Sequence, residues 1–337
     1  MSDRVLLAHG AGGLLSQELV ASVFARRFAN PYLDRLDDAA ILPSPGAGER
    51  LAFTTDGYVV RPLFFPGGDI GRLAVCGTVN DLAVMGALPR HISAAFVLEE
   101  GLPLADLERI AASMAVAAQE AGVQIVTGDT KVVEHGHADG CFITTAGVGL
   151  IPAGVDLFGA NARTGDAVLL SGSIGDHGLA VLSQREGLRF AGDLQSDVAP
   201  LNGLVQALLT ACPRAHTLRD PTRGGLAVTL NEIARQSQVA IAIEESAIPI
   251  RPAVRALSEM LGLDPLYVAN EGKLVAIVPG ADADAALAAL RAHPLGREAA
   301  LIGTVQKGRP GRVTLRSTLG SHRILDMPAG ELLPRIC

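Results

Sequence analysis

Carboxylates placed beside glycines, and one cysteine at the end of the chain, are the residues here whose type and spacing could do chemistry. Asp37-Asp38-Ala-Ala precedes a loop, Asp56 interrupts a strand-like run, and Asn80-Asp81 lies inside an otherwise apolar helical stretch. Gly128-Asp129-Thr130-Lys131 follows the buried-looking strand Gln124-Ile-Val-Thr127, and Asp220-Pro-Thr-Arg-Gly-Gly225 precedes another helix. A carboxylate among neighbours such as Leu82, Ala83, Val84 and Met85 is expensive to bury unpaired, and a metal or a strong donor relieves that cost. A solvent-facing or hydrogen-bonded Asp is the simpler alternative. Hard oxygen ligands suit Mg2+, which binds a few carboxylates together with phosphate oxygens. Phosphates in turn need donors, and glycine loops and helix N-termini supply them. The chain offers three such loops, at 9–13, 171–178 and 223–225, but neither a P-loop nor a Rossmann fingerprint.

Two further residues have chemical potential. Lys131, two positions after Asp129 and on its side of an extended segment, could neutralise a transferring phosphate. Glu271, in Asn270-Glu-Gly-Lys273, could act as a general base. A surface ion pair is the plain alternative for both. His135 and His137 fall in a loop-like stretch that suits adventitious metal binding at most.

Of the four cysteines, Cys76, Cys141, Cys212 and Cys337, none forms a C-x-x-C pair, so neither a zinc site nor a thioredoxin-like motif is signalled. Wide spacing favours reduced thiols and a cytoplasmic setting. Cys337 closes a proline-punctuated tail, Met327-Pro-Ala-Gly-Glu-Leu-Leu-Pro-Arg-Ile-Cys337. If it moves freely from Asp326 onward, the tail reaches about 35 Å at about 3.3 Å per residue. That suits a nucleophile loaded at one site and reacting at another. A frayed terminus is the competing reading.

The elements that must position these groups follow from periodicity. Asp69 can cap a long helix to about Met85, and 104–121 is amphipathic with Leu107, Ile110, Met114 and Ala117/Ala118 on one face. A helix is expected from Ser16 to Phe28. Strands are expected at 51–60, 91–98, 123–127, 141–150, 167–170, 239–243, 274–278, 299–305 and 312–316. Helices fall near 176–186, 198–211, 225–237, 252–261 and 281–291. Alternation of this kind predicts α/β layers with helices covering sheets. A change of pattern at 151–164 divides the chain into domains at 1–155 and 165–320, with a tail at 321–337 and no core-like segment after Arg323. Strand order does not follow from periodicity. The 337 residues, 49% apolar with a net charge of −7 and no basic run, exclude a disordered chain and disfavour nucleic acid as a partner. No membrane span or signal peptide is expected, since no run of about 18 apolar residues occurs.

Taken in order, Asp37-Asp38-Ala-Ala, Thr54-Thr-Asp-Gly57, Thr78-Val-Asn-Asp-Leu-Ala-Val-Met-Gly86, Thr127-Gly-Asp-Thr-Lys131, Arg219-Asp-Pro-Thr-Arg-Gly-Gly225 and the terminal Pro334-Arg-Ile-Cys337 resemble the HypE family of hydrogenase maturation proteins. That family belongs to the ATP-binding superfamily of aminoimidazole ribonucleotide synthetase, selenophosphate synthetase and thiamine monophosphate kinase. The resemblance implies a two-domain PurM-like ATP-binding fold with a flexible C-terminal tail, whose first domain forms a homodimer through its strands. It implies that Asp38, Asp56, Asp81, Asp129 and Asp220 serve Mg2+ and phosphates, that Asn80 and Gly128 contribute to the ATP site, and that Asp37 and Asp38 are not distinguished as ligands. It further implies that HypF carbamoylates Cys337, that ATP drives dehydration of the thiocarboxamide to a thiocyanate, and that cyanide passes to iron on a HypC–HypD complex. Lys131 and Glu271 would assist as charge stabiliser and base, and Arg335 would favour the thiolate. Alternatives are a small-molecule kinase or synthetase of the same superfamily, and a non-catalytic carrier.

Overall fold

The computed structural model describes residues 13–19, 21, 35, 37, 39–43, 48–188, 194–328, 333 and 335–337. The first sheet has five strands, β1 (Ala40–Pro43), β2 (Arg50–Tyr58), β5 (Leu88–Glu99), β6 (Gln124–Val133) and β7 (Cys141–Ile151), in the order β1-β2-β7-β5-β6. All neighbours are antiparallel except β5 and β6. A two-stranded ribbon, β3 (Phe64–Phe65) with β4 (Gly68–Asp69), leads into the central helix. Of the expected helix from Ser16, the described part is α1 (Leu14–Leu19), and the rest lies outside the described residues.

The helix expected after Asp69 is α2 (Ile70–Val84). Asp69 caps it, its Oδ1 accepting from the Gly71 and Arg72 backbone N–H groups at 2.8 and 3.0 Å. Nearly every side chain of α2 is buried, because one face packs on the first sheet while Ala83 and Val84 join the core of the second domain. That explains why its sequence reads as uniformly apolar rather than striped. Gly77 is required by a close approach, since a Cβ there would lie 2.3 Å from the Tyr58 hydroxyl oxygen. The amphipathic α3 (Leu104–Ala121) buries Ile110, Met114, Ala117 and Ala118, and ends on Gly122 at φ 68°.

The second sheet has seven strands: β8 (Ala167–Leu170), β9 (Thr217–Arg219), β10 (Ala240–Glu244), β11 (Val275–Val278), β12 (Ala300–Gln306), β13 (Arg312–Arg316) and β14 (His322–Leu325). Their order is β14-β13-β10-β12-β8-β11-β9. Five helices accompany it: α4 (Asp176–Arg185), α5 (Asn202–Ala211), α6 (Gly225–Gln236), α7 (Pro252–Leu261) and α8 (Ala283–Ala292). Among the described residues no helix is long and apolar enough to cross a membrane.

Three local expectations need correction. Strand β6 runs on through Gly128-Asp-Thr-Lys131 and is exposed along almost its whole length, because among the described residues it pairs only with β5 at the sheet edge. Residues 198–201 lie before the helix, which starts at Asn202, and are drawn along α2 by hydrogen bonds from Arg72 Nε to Val198 O and from Asn80 Nδ2 to Ala199 O. Core residues also continue past Arg323: β14 pairs with β13, and Leu325, Met327 and Ile336 are buried.

Candidate functional site

A cavity of about 540 Å3 opens between the two domains. Strand β2 presents Thr54, Asp56 and Tyr58 to it, and α2 presents Gly77 and Asp81. The second domain contributes Asp220, Thr222, Arg223 and Gly224 from the turn before α6, and Tyr267, Ala269 and Glu271 from the loop before β11. The chain end supplies Arg335, Ile336 and Cys337. Residues far apart in sequence therefore share one space, and three of the sequence-predicted aspartates share it with the terminal thiol.

Each carboxylate is fixed differently. Asp81 is half-buried, and its Oδ2 accepts the Thr54 hydroxyl at 2.8 Å. Asp56 Oδ1 accepts the Gly57 N–H at 2.8 Å, and the residue lines the cavity from within β2. Asp220 is buried at the end of β9, and its carbonyl accepts the Thr222 N–H at 3.0 Å. The following glycines are conformationally required: Gly224 and Gly225 have φ of 78° and 62°, and a Cβ on Gly225 would lie 2.6 Å from the Val268 carbonyl oxygen. The turn delivers the α6 N-terminus to the cavity without a side-chain cap.

Glu271 departs most from a surface ion pair. It is 2% exposed, and its Oε1 has no hydrogen-bond partner among the described residues. Burial, then the charges of Asp220, Asp197 and Asp56, push its carboxyl well above the usual range, against the attraction of Arg223. Its loop is held rigidly. Asp197 accepts from the Glu271 N–H at 3.1 Å and pairs with Lys273 at 2.9 Å, both side chains being buried. Asn270 accepts from Gly175 N and donates to Pro221 O and Val268 O.

Three thiols are shut away. Burial pushes Cys76 up to about 12, and Cys141 and Cys212 up to about 11. Cys337 is half-buried and faces the cavity. The tail holding it is docked: Arg61 N donates to Arg335 O at 3.2 Å, Val59 N to Cys337 O at 3.4 Å, and Ile336 is buried in the first-domain core. The Arg335 guanidinium is bonded to Asp139. The neighbouring cation is Arg223, whose guanidinium is raised first by the charge of Cys337.

The remaining sequence candidates lie elsewhere. Asn80 is wholly buried beside the site, where it donates to Ala199 O and Glu271 O and accepts from Leu201 N, so it ties the domains together. Gly128, Asp129 and Lys131 lie outside this cavity, on exposed β6, with Lys131 Nζ 2.9 Å from Asp129 Oδ2. Gly128 lets β6 approach β5, since a Cβ there would lie 2.1 Å from Ala94 O. Asp37 accepts from Gly159 N at 2.9 Å. Asp38 lies outside the described residues. Of the three glycine loops, 223–225 reaches the cavity and 171–178 does not, while 9–13 is described only at Gly13. Sequence reasoning missed Arg223 as a partner of Cys337, and it missed Tyr58 and His177 altogether. Only the Arg-Gly-Gly turn carried a local signal.

The model described as AIR synthase related protein, N-terminal domain, matches residues 36–151, and that of the C-terminal domain matches 163–316. The carbamoyl dehydratase HypE of Cupriavidus necator is 56% identical over 336 residues, covering 100% of this chain and 95% of that protein. A crystal structure of the hydrogenase maturation protein HypE in complex with ATP superposes with a TM-score of 0.84 at 54% identity, covering 99% and 100% of the two chains. A HypE chain from a HypE–HypF complex gives 0.87 at 49%, covering 92% and 99%. Two-domain architecture, a cavity shared by aspartates and the terminal cysteine, and full-length similarity agree: the chain belongs to the carbamoyl dehydratase HypE family.

Proposed function

We propose that this protein dehydrates an S-carbamoyl group on its own Cys337 to a thiocyanate at the expense of ATP, supplying cyanide for the iron centre of a [NiFe]-hydrogenase. The observation that carries the reading is that Cys337 lies in the same cavity as Asp56, Asp81, Asp220, Arg223 and Glu271. A carrier that only displayed its cargo has no use for a thiol turned inward among carboxylates.

The chemistry balances without a redox partner. The carbamoyl oxygen attacks the γ-phosphorus of ATP and ADP leaves. One nitrogen proton passes to a base, the carbon–oxygen bond breaks with phosphate as leaving group, and loss of the second proton leaves S–C≡N. Glu271 is the base: the burial that raises its carboxyl makes the ionised form a stronger acceptor than an exposed Glu. Arg223 and the open N-terminus of α6 bind the anionic phosphates. Holding nucleotide and tail in one cavity makes the transfer intramolecular.

Mg2+ fits this donor set. Among the described residues no three His, Cys, Asp or Glu side chains converge tightly enough to hold a metal alone. Asp56, Asp81 and Asp220 line one cavity, however, and hard oxygens from phosphate complete the shell such an ion prefers. The bound ion would neutralise charge on the transferring phosphate.

The partners follow from the same reading. HypF is the source of the carbamoyl group and a HypC–HypD complex the cyanide acceptor, with the reaction in the cytoplasm. A homodimer through the first sheet suits β6, an unpaired edge exposing Ile125, Val126 and Val132, and pairing there would carry Gly128, Asp129 and Lys131 toward a second copy. Mass spectrometry of purified protein pre-carbamoylated on Cys337 tests the enzyme reading. Addition of MgATP alone is expected to remove one water from the C-terminal peptide with formation of ADP and phosphate. Water loss only when another protein is added would make the chain a carrier.

A further inference from the structure

We infer that His177 is a positioning residue that latches the C-terminal tail in its inward place and links that latch to the Glu271 loop. His177 lies at the start of α4, is fully buried, and stands edge-on to Phe65 with ring centroids 5.4 Å apart. Its Nε2 is 2.9 Å from Ile336 O, one residue before the reactive cysteine, and its Nδ1 is 2.8 Å from Ser196 Oγ.

The direction of this chain of bonds is forced. A backbone carbonyl only accepts, so Nε2 carries the hydrogen toward Ile336. The neutral ring then accepts at Nδ1 from the Ser196 hydroxyl, and Ser196 Oγ accepts in turn from Val198 N at 3.1 Å. Burial keeps the ring in its neutral form. The Ile336 carbonyl therefore sets the tautomer, and the Ser196 hydroxyl, free to donate, satisfies the nitrogen left bare.

Ser196 begins the segment that also secures the proposed base. Its next residue, Asp197, accepts from Glu271 N and pairs with Lys273, while Asn80 joins Ala199 O to Glu271 O. One short extended segment thus touches the tail latch at its first residue and the Glu271 backbone at its second. Docking of the tail and placement of Glu271 share a support. Further tail bonds, from Val59 N to Cys337 O, from Arg61 N and Arg185 to the Arg335 carbonyl, and from Arg335 to Asp139, involve no part of this segment.

The latch rests on the dehydration reading for its catalytic consequence but not for its existence, so two readouts are needed. Full-length His177→Asn and His177→Gln are compared with the unaltered protein. Asn reproduces a polar group near Nδ1 but does not reach Ile336, whereas the Gln amide reaches the Nε2 position and can donate to the carbonyl. The first readout is alkylation of the unmodified Cys337 thiol by iodoacetamide. The second is single-turnover water loss from pre-carbamoylated Cys337 under MgATP. Loss of one neutral hydrogen bond predicts that His177→Asn raises alkylation and slows water loss, each by about 2- to 12-fold, with His177→Gln restoring both toward the unaltered protein. Equal rates for His177→Asn and the unaltered protein overturn the latch. So does a His177→Gln variant as impaired as His177→Asn, or slowed water loss with no change in alkylation. Failure of the unaltered protein to lose water refutes the dehydration reading instead, and the alkylation readout then decides the latch alone.

Discussion

Ile336→Ala isolates the apolar part of tail docking. Ile336 is 4% exposed and belongs to the core cluster of Tyr58, Val60, Phe65, Val181 and Val198, although it is the penultimate residue of the chain. The change removes three carbons, at about 0.8 kcal/mol for each buried methylene, or about 2.4 kcal/mol of docking free energy. That shifts the ratio of docked to undocked tail by about 50-fold, since about 1.4 kcal/mol corresponds to a factor of ten. Ile336→Val removes one carbon and predicts about fourfold. Backbone bonds to residues 335–337 do not depend on this side chain, so the two variants form a graded series on one variable. Iodoacetamide alkylation of Cys337 reads the undocked fraction, and single-turnover dehydration reads the docked one. Alkylation is expected to rise in the order Ile, Val, Ala while dehydration falls in the same order, with carbamoyl loading by HypF preserved. Equal alkylation for Ile336→Ala and the unaltered protein, or a fall in loading that matches the fall in dehydration, refutes the reasoning.

Other residues give separate expectations. Glu271→Gln keeps the shape of the buried side chain and removes its titration; dehydration should slow at least about 100-fold, the low end of what a general base contributes. The folded-state pKa of Glu271 is raised, so its contribution to stability is fully present below the unfolded value near 4.5 and is lost as pH rises through the folded value. Thermal melting should therefore favour Glu271→Gln over the unaltered protein increasingly toward alkaline pH, and a constant difference across pH would count against the raised pKa. Lys131→Ala should spare loading yet slow dehydration if the proposed pairing of β6 carries it to a second copy; unchanged dehydration would remove it from the reaction. Asn80→Ala takes hydrogen bonds from the Ala199 and Glu271 carbonyls and from Leu201 N, the Glu271 carbonyl keeping its bond from Ala199 N, and should cost about 2–3 kcal/mol in urea unfolding.

Legibility in the sequence followed the range of the interaction. Asp69 as a helix cap and the apolar face of α3 are local patterns, and the structure has them where periodicity and capping chemistry put them, whereas Asp56, expected to interrupt its strand, lies within a continuous β2. The convergence of Asp56, Asp81 and Asp220 on one cavity was not legible from spacing, and neither was Arg223 beside Cys337, because both depend on how the domains meet. Exposure of β6 escaped notice because Gln124-Ile-Val-Thr127 has the composition of a buried strand, and only its edge position leaves it open. The tail appeared free of core residues because Ile336 is a single apolar side chain between Arg335 and Cys337, too short a signal for any period. Asn80 stands in an otherwise apolar helical stretch, but its partners at 199, 201 and 271 are invisible to local reasoning.

The central claim is that phosphate removes the oxygen of the group carried on Cys337, and isotope transfer reads this directly. Protein carbamoylated with an oxygen-18-labelled carbonyl is treated with unlabelled MgATP, and the inorganic phosphate is analysed by mass spectrometry. The account predicts one labelled oxygen in each phosphate released with thiocyanate formation. Unlabelled phosphate, with the isotope appearing in water, would contradict it.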